Sequence, residues 1–291
     1  MITENLPQYE LLDSGLGRKL EIIAGLKVNR PSPQAIWKPI LKDTEWNSAG
    51  SNVIRTKDGG GKWEHKKGEP TNLSFPFEID GKKLQFKLKF TSFGHCGIFF
   101  EQIPVWQWLY SEVKLLKQKL GRAPKVVNLF GYTGCASLVM AAAGAEVFHV
   151  DSSKGVLDWG KESQKLSRLP EESIRWVQGD AQEFLRHSFK KKFTYDGILA
   201  DPPSWGHGVK KEVWDFEKHI HLLVELILSD LNRDNSFLFL SCHTHGVQPE
   251  ALRNLIHDKR WKDVNCGELG VKHQNDSRIL PAGIFVTAKS Y

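Results

Sequence analysis

The chain has 291 residues, with 40 Lys and Arg against 34 Asp and Glu, and a formal net charge of +6. This length suits one or two domains with a substantial core. No apolar run is long enough for a transmembrane helix, and the N-terminal segment lacks the pattern of a secretory signal peptide. These features exclude a transmembrane helix and predict a cytoplasmic protein.

The positive charge is concentrated in the N-terminal part of the chain. Residues 1–124 hold 19 Lys and Arg against 13 Asp and Glu, whereas residues 125–291 hold 21 of each. Much of the excess lies in residues 57–67 and 82–89. A basic module of this kind suits the phosphate backbone of a nucleic acid, although a solvated lysine face is the simpler alternative.

The same N-terminal part has the pattern of a small β-rich α+β domain. Segments with β character are separated by Gly and Pro turns, and Asp80-Gly81 predicts a tight hairpin turn. Trp37, Trp46 and Trp63 have the chemistry to stack on RNA bases, but tryptophans in a small β domain more often pack in its core.

A helix is predicted from residue 105 to residue 120, with Pro104 at its start. This helix divides the chain into an N-terminal domain, residues 1–103, a linking helix, residues 104–122, and a C-terminal domain, residues 123–291.

Strands and helices alternate regularly in the C-terminal domain. The predicted strands begin at residue 126 and continue at 146–150, 174–178, 195–200 and 236–241, and helices are predicted near 152–167, 181–188, 212–230 and 249–258. This alternation predicts a mostly parallel sheet with right-handed crossovers. A last strand at 283–289 follows a non-helical connection, residues 261–270, and is expected to pair antiparallel.

Acidic residues and a cysteine follow successive strands of this sheet. The first strand breaks into a Gly-x-x-Gly turn at 131–134, and later strands lead to Asp151, Asp180, Asp201 and Cys242. The carboxyl ends of parallel strands meet at one edge, where nucleotides bind, so these side chains are expected to share one site. An NAD-dependent enzyme is a weaker interpretation, because the turn lacks the middle glycine of the dinucleotide fingerprint.

Six short segments occur together in a fixed order. They read Phe-Phe-Glu-Gln at 99–102, Asn-Leu-Phe-Gly-Tyr-Thr-Gly at 128–134, Val-Asp-Ser-Ser at 150–153, Gly-Asp-Ala at 179–181, Asp-Pro-Pro-Ser-Trp at 201–205 and Leu-Ser-Cys at 240–242. This combination resembles the class I S-adenosylmethionine (SAM) methyltransferases, and in particular the bacterial large-subunit ribosomal RNA (rRNA) methyltransferases of the cytosine-C5 type and their uncharacterised relatives. The resemblance covers roughly residues 90–291. It implies a Rossmann-like sheet, SAM as cofactor and RNA as substrate and partner.

The resemblance also implies which residues bind the cofactor and the target base. Gly131 and Gly134 would let the backbone turn against the ligand, where a Cβ atom would collide. Asp151 would accept hydrogen bonds from the ribose, and Asp180 with the Ala181 backbone would hold the adenine. Helix capping is the alternative role for each carboxylate. The expected cofactor-binding residues are Phe130, Gly131, Tyr132, Thr133, Gly134, Asp151, Ser152, Asp180, Ala181, Asp201 and Pro202, and the expected substrate-binding residues are Pro203, Ser204 and Trp205.

Cys242 is the expected catalytic nucleophile. Carbon 5 of cytosine is a poor nucleophile, and attack of a thiolate on carbon 6 makes it carbanion-like. Cys242 matches the Leu-Ser-Cys catalytic segment of the resembling family, and Asp201 is the candidate by location for removing the C5 proton. His243 and His245 are near enough in sequence to lower the pKa of the thiol. The alternative for Cys242 is a small apolar residue that ends a buried strand.

Other interpretations are weaker or stay open. The four cysteines lack C-x-x-C spacing, and the H-x-H pairs at 219–221 and 243–245 lack a supporting carboxylate or cysteine pattern, so no metal site is expected.

Three alternative functions remain: methylation of a guanine nitrogen or another base without a covalent step, a non-catalytic SAM- and RNA-binding assembly factor, and a small-molecule methyltransferase. The sequence does not indicate an oligomeric state.

Overall fold

The computed structural model describes residues 1–4, 6–55, 61–208 and 213–291. Within these residues the chain forms two compact units. Unit 1 comprises Met1–Pro104 and Leu269–Ala282, and unit 2 comprises Val105–Glu268 and Gly283–Tyr291. Part of the basic segment 57–67 and the predicted helix start at residue 212 lie outside the described residues.

Unit 1 is rich in β-strands, as the sequence predicts. Strands β2 to β6 form a five-stranded sheet in chain order, which is antiparallel except for the β4–β5 pair. Strands β7 and β8 form a separate hairpin. Its turn residues Asp80 and Gly81 have φ angles of 48° and 71°, the left-handed backbone of a tight hairpin turn, so the predicted hairpin is confirmed. The elements are β1 (Ile2–Thr3), β2 (Tyr9–Gly15), β3 (Arg18–Ile23), β4 (Leu26–Pro31), α1 (Asp43–Asn47), β5 (Ser51–Arg55), β6 (Gly61–His65), β7 (Ser74–Ile79) and β8 (Lys82–Lys87).

Unit 2 alternates strands and helices along most of its length. Its first helix begins at the boundary between the units, and its last two strands extend into the 269–282 segment of unit 1. The elements are α2 (Ile103–Leu120), β9 (Lys125–Leu129), α3 (Cys135–Ala142), β10 (Glu146–Asp151), α4 (Lys154–Leu166), β11 (Ile174–Gln178), α5 (Ala181–Lys190), β12 (Gly197–Ala200), β13 (Trp205–His207), β14 (Val213–Asp215), α6 (Phe216–Asp230), β15 (Phe237–Cys242), α7 (Pro249–Leu255), β16 (Asp263–Lys272) and β17 (Ile279–Lys289).

The strands of unit 2 form a sheet in the order β16-β17-β15-β12-β9-β10-β11. The five strands from β15 to β11 in this order are parallel, and β17 is antiparallel to β15. Every residue of β12 and β15 is buried, which explains their continuous apolar sequences. The predicted mostly parallel sheet with an antiparallel last strand is confirmed. Its strand order reverses between β9 and β12, and ligands bind at such a point beyond the carboxyl ends of the strands.

Two segments differ from the sequence predictions. The helix predicted from residue 212 begins at Phe216, because residues 213–215 form β14 and pair with β13. Val213 and Trp214 are β-branched and aromatic residues that suit a strand. The connection at 261–270 is non-helical, as predicted, but most of it is a strand, β16, which lies next to β17.

Asp230 is a buried acid at the end of α6. Its side chain is fully buried, and neither carboxylate oxygen has a hydrogen-bond partner among the residues that the structure describes. Burial raises the pKa of Asp230 to about 7, because the charged form would be poorly solvated. The folded state therefore holds a proton that the unfolded chain loses at lower pH.

Asp230→Asn is expected to stabilise the fold at alkaline pH. Because the folded-state pKa exceeds the ordinary value of 3.8, the stability contribution of the protonated acid is complete below about pH 4 and is lost as the pH rises through 7. Asparagine does not ionise, so the free energy of unfolding at pH 8.5 should rise by about 2–4 kcal/mol, and this difference should shrink toward pH 4. Urea unfolding at both pH values measures the effect. The exposed Asp234→Asn is the control, and an equal gain there would contradict the prediction.

Candidate active site

The turn after β9 has an unusual backbone. Phe130 and Tyr132 have φ angles of 56° and 51°, and Gly134 has a φ of 81°. Left-handed conformations cost a non-glycine residue on the order of 1 kcal/mol or more, and they concentrate at ligand sites. Hydrogen bonds from neighbouring strands hold the turn, since the Gly131 N–H donates to the Val150 carbonyl at 3.1 Å. The strain therefore marks this turn as a candidate binding loop.

Packing against neighbouring side chains requires glycine at two positions of the turn. A Cβ atom on Gly131 would lie 2.3 Å from Cε1 of His149, and one on Gly134 would lie 2.6 Å from Cη2 of Trp176. The sequence predicted a collision with the ligand instead. The structure thus adds a packing reason: these glycines let the loop lie directly on two buried or half-buried rings.

A chain of buried polar side chains supports the loop from below. Asn128 Nδ2 donates to Ser137 Oγ at 2.9 Å, and Ser137 Oγ lies 2.9 Å from Nδ1 of His149. His149 is fully buried, and burial lowers its pKa to about 3, so the imidazole is neutral. These contacts join β9, α3 and β10 directly under the turn.

A cavity of about 350 Å³ opens at the carboxyl edge of the sheet. Six of the predicted site residues line it: Phe130, Asp151, Ser152, Asp180, Ala181 and Pro203. Ten further residues complete the lining: Val150, Gly179, Gln182, Glu183, Arg186, Gly206, Gly208, Val213, Trp214 and His219. The remaining predicted residues lie outside this lining, namely Gly131, Tyr132, Thr133, Gly134, Asp201, Pro202, Ser204, Trp205 and Cys242.

Asp151 is held in place by backbone groups. Its Oδ2 accepts a hydrogen bond from the Tyr132 N–H and its Oδ1 from the Ser153 N–H, both at 2.9 Å. Burial raises the pKa of Asp151 and outweighs the opposing effect of these bonds. Each carboxylate oxygen has a further lone pair, so the fixed carboxylate has capacity for ligand hydroxyls.

Asp180 combines two roles. It is the N-cap of α5, where its Oδ1 accepts a hydrogen bond from the Glu183 N–H at 2.9 Å. This is the capping role that the sequence left as an alternative. Asp180 and the following Ala181 also line the cavity, so capping fixes the carboxyl group at the cavity wall.

Trp214 is the main cavity residue that sequence reasoning missed. In the β13–β14 hairpin, Gly206 pairs with Trp214, whose Nε1 donates to the Pro203 carbonyl at 2.6 Å. The Trp214 ring lies 5.1 Å from the Phe130 ring, centroid to centroid. Trp205, which the sequence favoured, is 60 % exposed and outside the lining. The register of the hairpin decides which of the two tryptophans lines the cavity. No short sequence motif predicts this register.

A second cluster surrounds Asp201. Its Oδ1 accepts a hydrogen bond from Ser241 Oγ at 2.5 Å and lies 3.0 Å from His243 Nε2. Burial alone would raise the pKa of Asp201, but the charge of His243 and the two hydrogen bonds together hold it below its ordinary value. Asp201 is therefore a carboxylate at neutral pH.

Cys242 lies between Ser241 and His243 but has different surroundings. It is the last residue of β15, is 1 % exposed and belongs to the apolar cluster of the sheet. Burial raises the pKa of the thiol, although a hydrogen bond from the Thr244 N–H to Sγ at 3.3 Å acts in the opposite direction. The sequence suggested that His243 lowers the pKa of the thiol. In the described structure the Nε2 atom of His243 contacts Asp201 instead.

Comparisons with known proteins show the family to which the chain belongs. A solved SAM-dependent methyltransferase from Agrobacterium tumefaciens is 35 % identical, with a TM-score of 0.89, over 100 % of this chain and 94 % of that one. The chain belongs to the SAM-dependent methyltransferases. SMU.776, a methyltransferase structure that contains SAH, is 18 % identical with a TM-score of 0.71, over 97 % of this chain and 75 % of that one, and shares the fold.

Three further matches cover only part of the chain. A family model described as RNA cap guanine-N2 methyltransferase matches residues 123–247. The ribosomal RNA large subunit methyltransferase K/L of Shewanella sp. (strain MR-4) is 33 % identical over 166 residues, which is 52 % of this chain and 22 % of that protein. Its counterpart in Shewanella oneidensis is 32 % identical over 165 residues. The chain thus matches about a fifth of the length of these curated relatives.

The cofactor of this methyltransferase is SAM. In this cavity Asp151 and Asp180 could accept hydrogen bonds from the hydroxyl and amino groups of a nucleoside, and Phe130, Ala181 and Trp214 could contact a purine ring. A pocket of this kind, mostly apolar with a few fixed polar groups, is typical of cofactor sites.

No helix in the described part of the chain is long and apolar enough to cross a membrane. Across the same ranges, 1–4, 6–55, 61–208 and 213–291, no three His, Cys, Asp or Glu side chains are grouped so that they would hold a metal ion.

Trp214→Ala is expected to weaken SAM binding about tenfold or more, because it removes the aromatic wall of the cavity and frees the Pro203 carbonyl. Trp205→Ala, on the paired strand of the same hairpin, is the matched control and should change the Kd less than about twofold. Titration calorimetry measures both. Trp214→Phe keeps an aromatic ring without the N–H and should have an intermediate effect. Equal losses for Trp205→Ala and Trp214→Ala would show that the hairpin, and not the Trp214 ring, governs binding.

Proposed function

We propose that this methyltransferase acts on RNA of the large ribosomal subunit, at carbon 5 of a cytosine, with Cys242 as the nucleophile. The substrate class is supported by the curated relatives, which are ribosomal RNA large subunit methyltransferases. The target atom is supported by one observation above the others: a cysteine thiol ends β15 between two residues, Ser241 and His243, that both contact the Asp201 carboxylate.

The charge of unit 1 supports an RNA substrate. Lys62, Lys66, Lys67, Lys82 and Lys83 all have exposed side chains on or beside the strands β6 and β8. Exposed lysines bind phosphate groups without regard to base sequence and release counterions when they do so. This unit is therefore the proposed docking module for the RNA backbone.

The tryptophans of unit 1 contribute less to this proposal than its lysines. Trp37 Nε1 donates to the Ser14 carbonyl, Trp46 Nε1 to Asp13 Oδ2 and Trp63 Nε1 to the Thr91 carbonyl. All three side chains are only partly exposed. Their N–H groups are thus used in internal packing, so the proposed RNA contact rests on charge rather than on base stacking.

The proposed chemistry assigns a separate task to each residue. SAM supplies an electrophilic methyl group. The Cys242 thiolate would add to carbon 6 of the cytosine and make carbon 5 nucleophilic. A base must then remove the C5 proton so that the bond from Cys242 breaks, and Asp201, which contacts both sequence neighbours of Cys242, is the candidate for this step. Pro203, Ser204 and Trp205 would contact the target base from the loop after β12.

The burial of Cys242 favours a second candidate function. A thiol that is 1 % exposed and has a raised pKa is poorly prepared for attack. Methylation of a guanine amino nitrogen needs no thiolate, and the matching family model is described as RNA cap guanine-N2 methyltransferase. In this case Asp201 would orient the amino group, and Cys242 would be a packing residue.

Cys242→Ala distinguishes the two candidates. With labelled SAM and unmodified large-subunit rRNA, the wild type should form 5-methylcytosine, and the variant should lose at least about 10³-fold in rate, because the covalent step needs the thiol. Cys266→Ala, at a half-buried position on β16, is the control. Resolving the labelled nucleosides by mass gives the product. A methylated guanine formed equally by the wild type and Cys242→Ala would exclude the covalent route and support the second candidate.

The double variant Lys82→Gln/Lys83→Gln is expected to weaken RNA binding and make it less sensitive to salt. If both lysines contact phosphates, the slope of log K against log salt should fall in magnitude by about 1.4 for single-stranded RNA. Lys154→Gln/Lys161→Gln in unit 2 is the control, because both of these lysines pair with Asp158. SAM affinity should not change in either variant. An unchanged salt slope in the first variant would remove unit 1 as the docking module.

A further inference from the structure

We propose that Phe93 stacks on an unpaired base of the RNA, and that Arg18 and Arg55 bind the phosphate groups beside that base. This inference rests on the proposed function, because it requires RNA as the partner. It goes beyond that function by assigning a single-stranded nucleotide site to unit 1, whose tryptophans are used in internal packing.

Phe93 presents an aromatic ring to solvent. It is 75 % exposed, whereas Trp37, Trp46 and Trp63 are only partly exposed. Burying a ring of this size is favourable, so an exposed phenylalanine leaves a stabilising contact unused within the fold. Single exposed apolar residues are common on protein surfaces. The exposure of Phe93 therefore indicates a ligand only together with the backbone and the charges around it.

A tight turn holds Phe93 in a fixed position. The Gly94 N–H donates to the Thr91 carbonyl at 2.9 Å. The carbonyl of Ser92, the residue before Phe93, accepts a hydrogen bond from the Gly61 N–H at 2.6 Å, which ties the turn to β6. The backbone that carries the ring is thus ordered before any ligand binds, and this lowers the entropy cost of stacking.

Two glycines let this turn, residues 91–95, lie directly on β5. A Cβ atom on Gly94, which has a φ of 81°, would lie 3.2 Å from Cγ1 of Val53. A Cβ atom on Gly61 would lie 2.9 Å from the same Val53 atom. The residue after Phe93 is therefore packed closely against Val53, and this contact fixes where the ring stands relative to β5.

Two arginines lie beside the same residue of β5. Arg18 Nη2 donates to the Val53 carbonyl at 2.9 Å and to the Asn29 carbonyl at 3.3 Å, and its Nε donates to Asn29 Oδ1 at 2.7 Å. All three acceptors are neutral. Arg55 is exposed and lies two residues beyond Val53 on β5, hence on the same face of the strand. Both guanidinium groups are thus placed close to the turn.

The electrostatic environment of the turn is dominated by cations. Burial lowers the pKa of His95 in the turn to about 4, and the charges of Arg30, Lys19 and Arg55 act in the same direction. Burial, and then the charge of Arg55, also lowers the pKa of the Arg18 guanidinium. Like charges are therefore held near one another here, an arrangement that an anion stabilises.

Glu21 balances two of these cations. Its buried carboxylate pairs with Arg30 at 2.8 Å and with Lys19 at 3.1 Å. Arg18 and Arg55 are the remaining two, and the planar guanidinium group matches the geometry of a phosphate. A single nucleotide offers a flat ring and a phosphate together, so single-stranded RNA fits a surface that combines an exposed ring with two arginines. An acidic peptide offers the charge without the flat ring.

The test measures how Phe93→Leu and Phe93→Tyr bind a labelled single-stranded RNA of about 12 nucleotides. Leucine keeps an apolar side chain but cannot stack, so the Kd of Phe93→Leu should rise about tenfold, while Phe93→Tyr should stay within about twofold of the wild type. Phe189→Leu changes an exposed phenylalanine on α5 and is the matched control, with an unchanged Kd. Because Phe93 is exposed, its variants should keep the wild-type Tm and SAM affinity.

Salt and base pairing separate stacking from charge. The slope of log K against log salt should be unchanged in Phe93→Leu and should fall in magnitude by about 0.7 in Arg55→Gln, which removes one phosphate contact. The bases of a fully paired RNA are already stacked on one another. Wild type and Phe93→Leu should therefore bind an RNA duplex of the same length equally well.

The possible results overturn different parts of this proposal. Equal binding of the single strand by wild type and Phe93→Leu would overturn the stacking site and leave the exposed ring to a protein partner. An equal loss on the duplex would also overturn it, because the effect would not depend on an unpaired base. An unchanged salt slope in Arg55→Gln would overturn the phosphate contact. A wild type that binds neither RNA would overturn the proposed function, and this site with it.

Discussion

The site depends on the central position of β9, which is hydrogen-bonded to β10 on one side and to β12 on the other. Because these strands are parallel, their carboxyl ends reach the same edge of the sheet. The strand order reverses between β9 and β12. The turn after β9 and the acid after β10 are thereby brought together, and the Tyr132 N–H donates directly to Asp151. The buried hydrogen bonds that join Asn128, Ser137 and His149 stabilise the elements on either side of this strained turn.

A consequence of this arrangement is that the site has two parts with different physical character. The cavity at the carboxyl edge of the sheet has a fixed carboxylate, a helix-capping carboxyl group and aromatic walls, and its polar groups are oriented by backbone hydrogen bonds. The cluster at the end of β12 and β15 is instead oriented by side chains, since Ser241 and His243 both contact Asp201. Strand geometry explains the contrast within the second part: Ser241 and Cys242 point to opposite faces of β15, so one meets the carboxylate and the other enters the core.

Much of this could be predicted from the sequence. The alternation of apolar strands and helices indicated the parallel sheet, and the acids at 151 and 180 indicated the edge at which the cavity opens. The hairpin formed by β13 and β14 could not be predicted in the same way, because its strands are three residues long and its pairing places Trp214, rather than Trp205, at the cavity. Periodicity does not determine the register of such short strands, since a shift of one residue exchanges the two faces.

The sequence by itself determined the order of elements, the glycine turn and the succession of polar residues at strand ends, because these follow from local pattern and from the topology of parallel sheets. Only the tertiary structure decided which groups are charged and accessible. Cys242 and His243 are adjacent in sequence, yet one is buried with a raised thiol pKa and the other is partly exposed beside a carboxylate. Burial and hydrogen bonding depend on residues distant in the chain, such as Asp201 and Gly283, and these long-range contacts set the reactivity of each side chain.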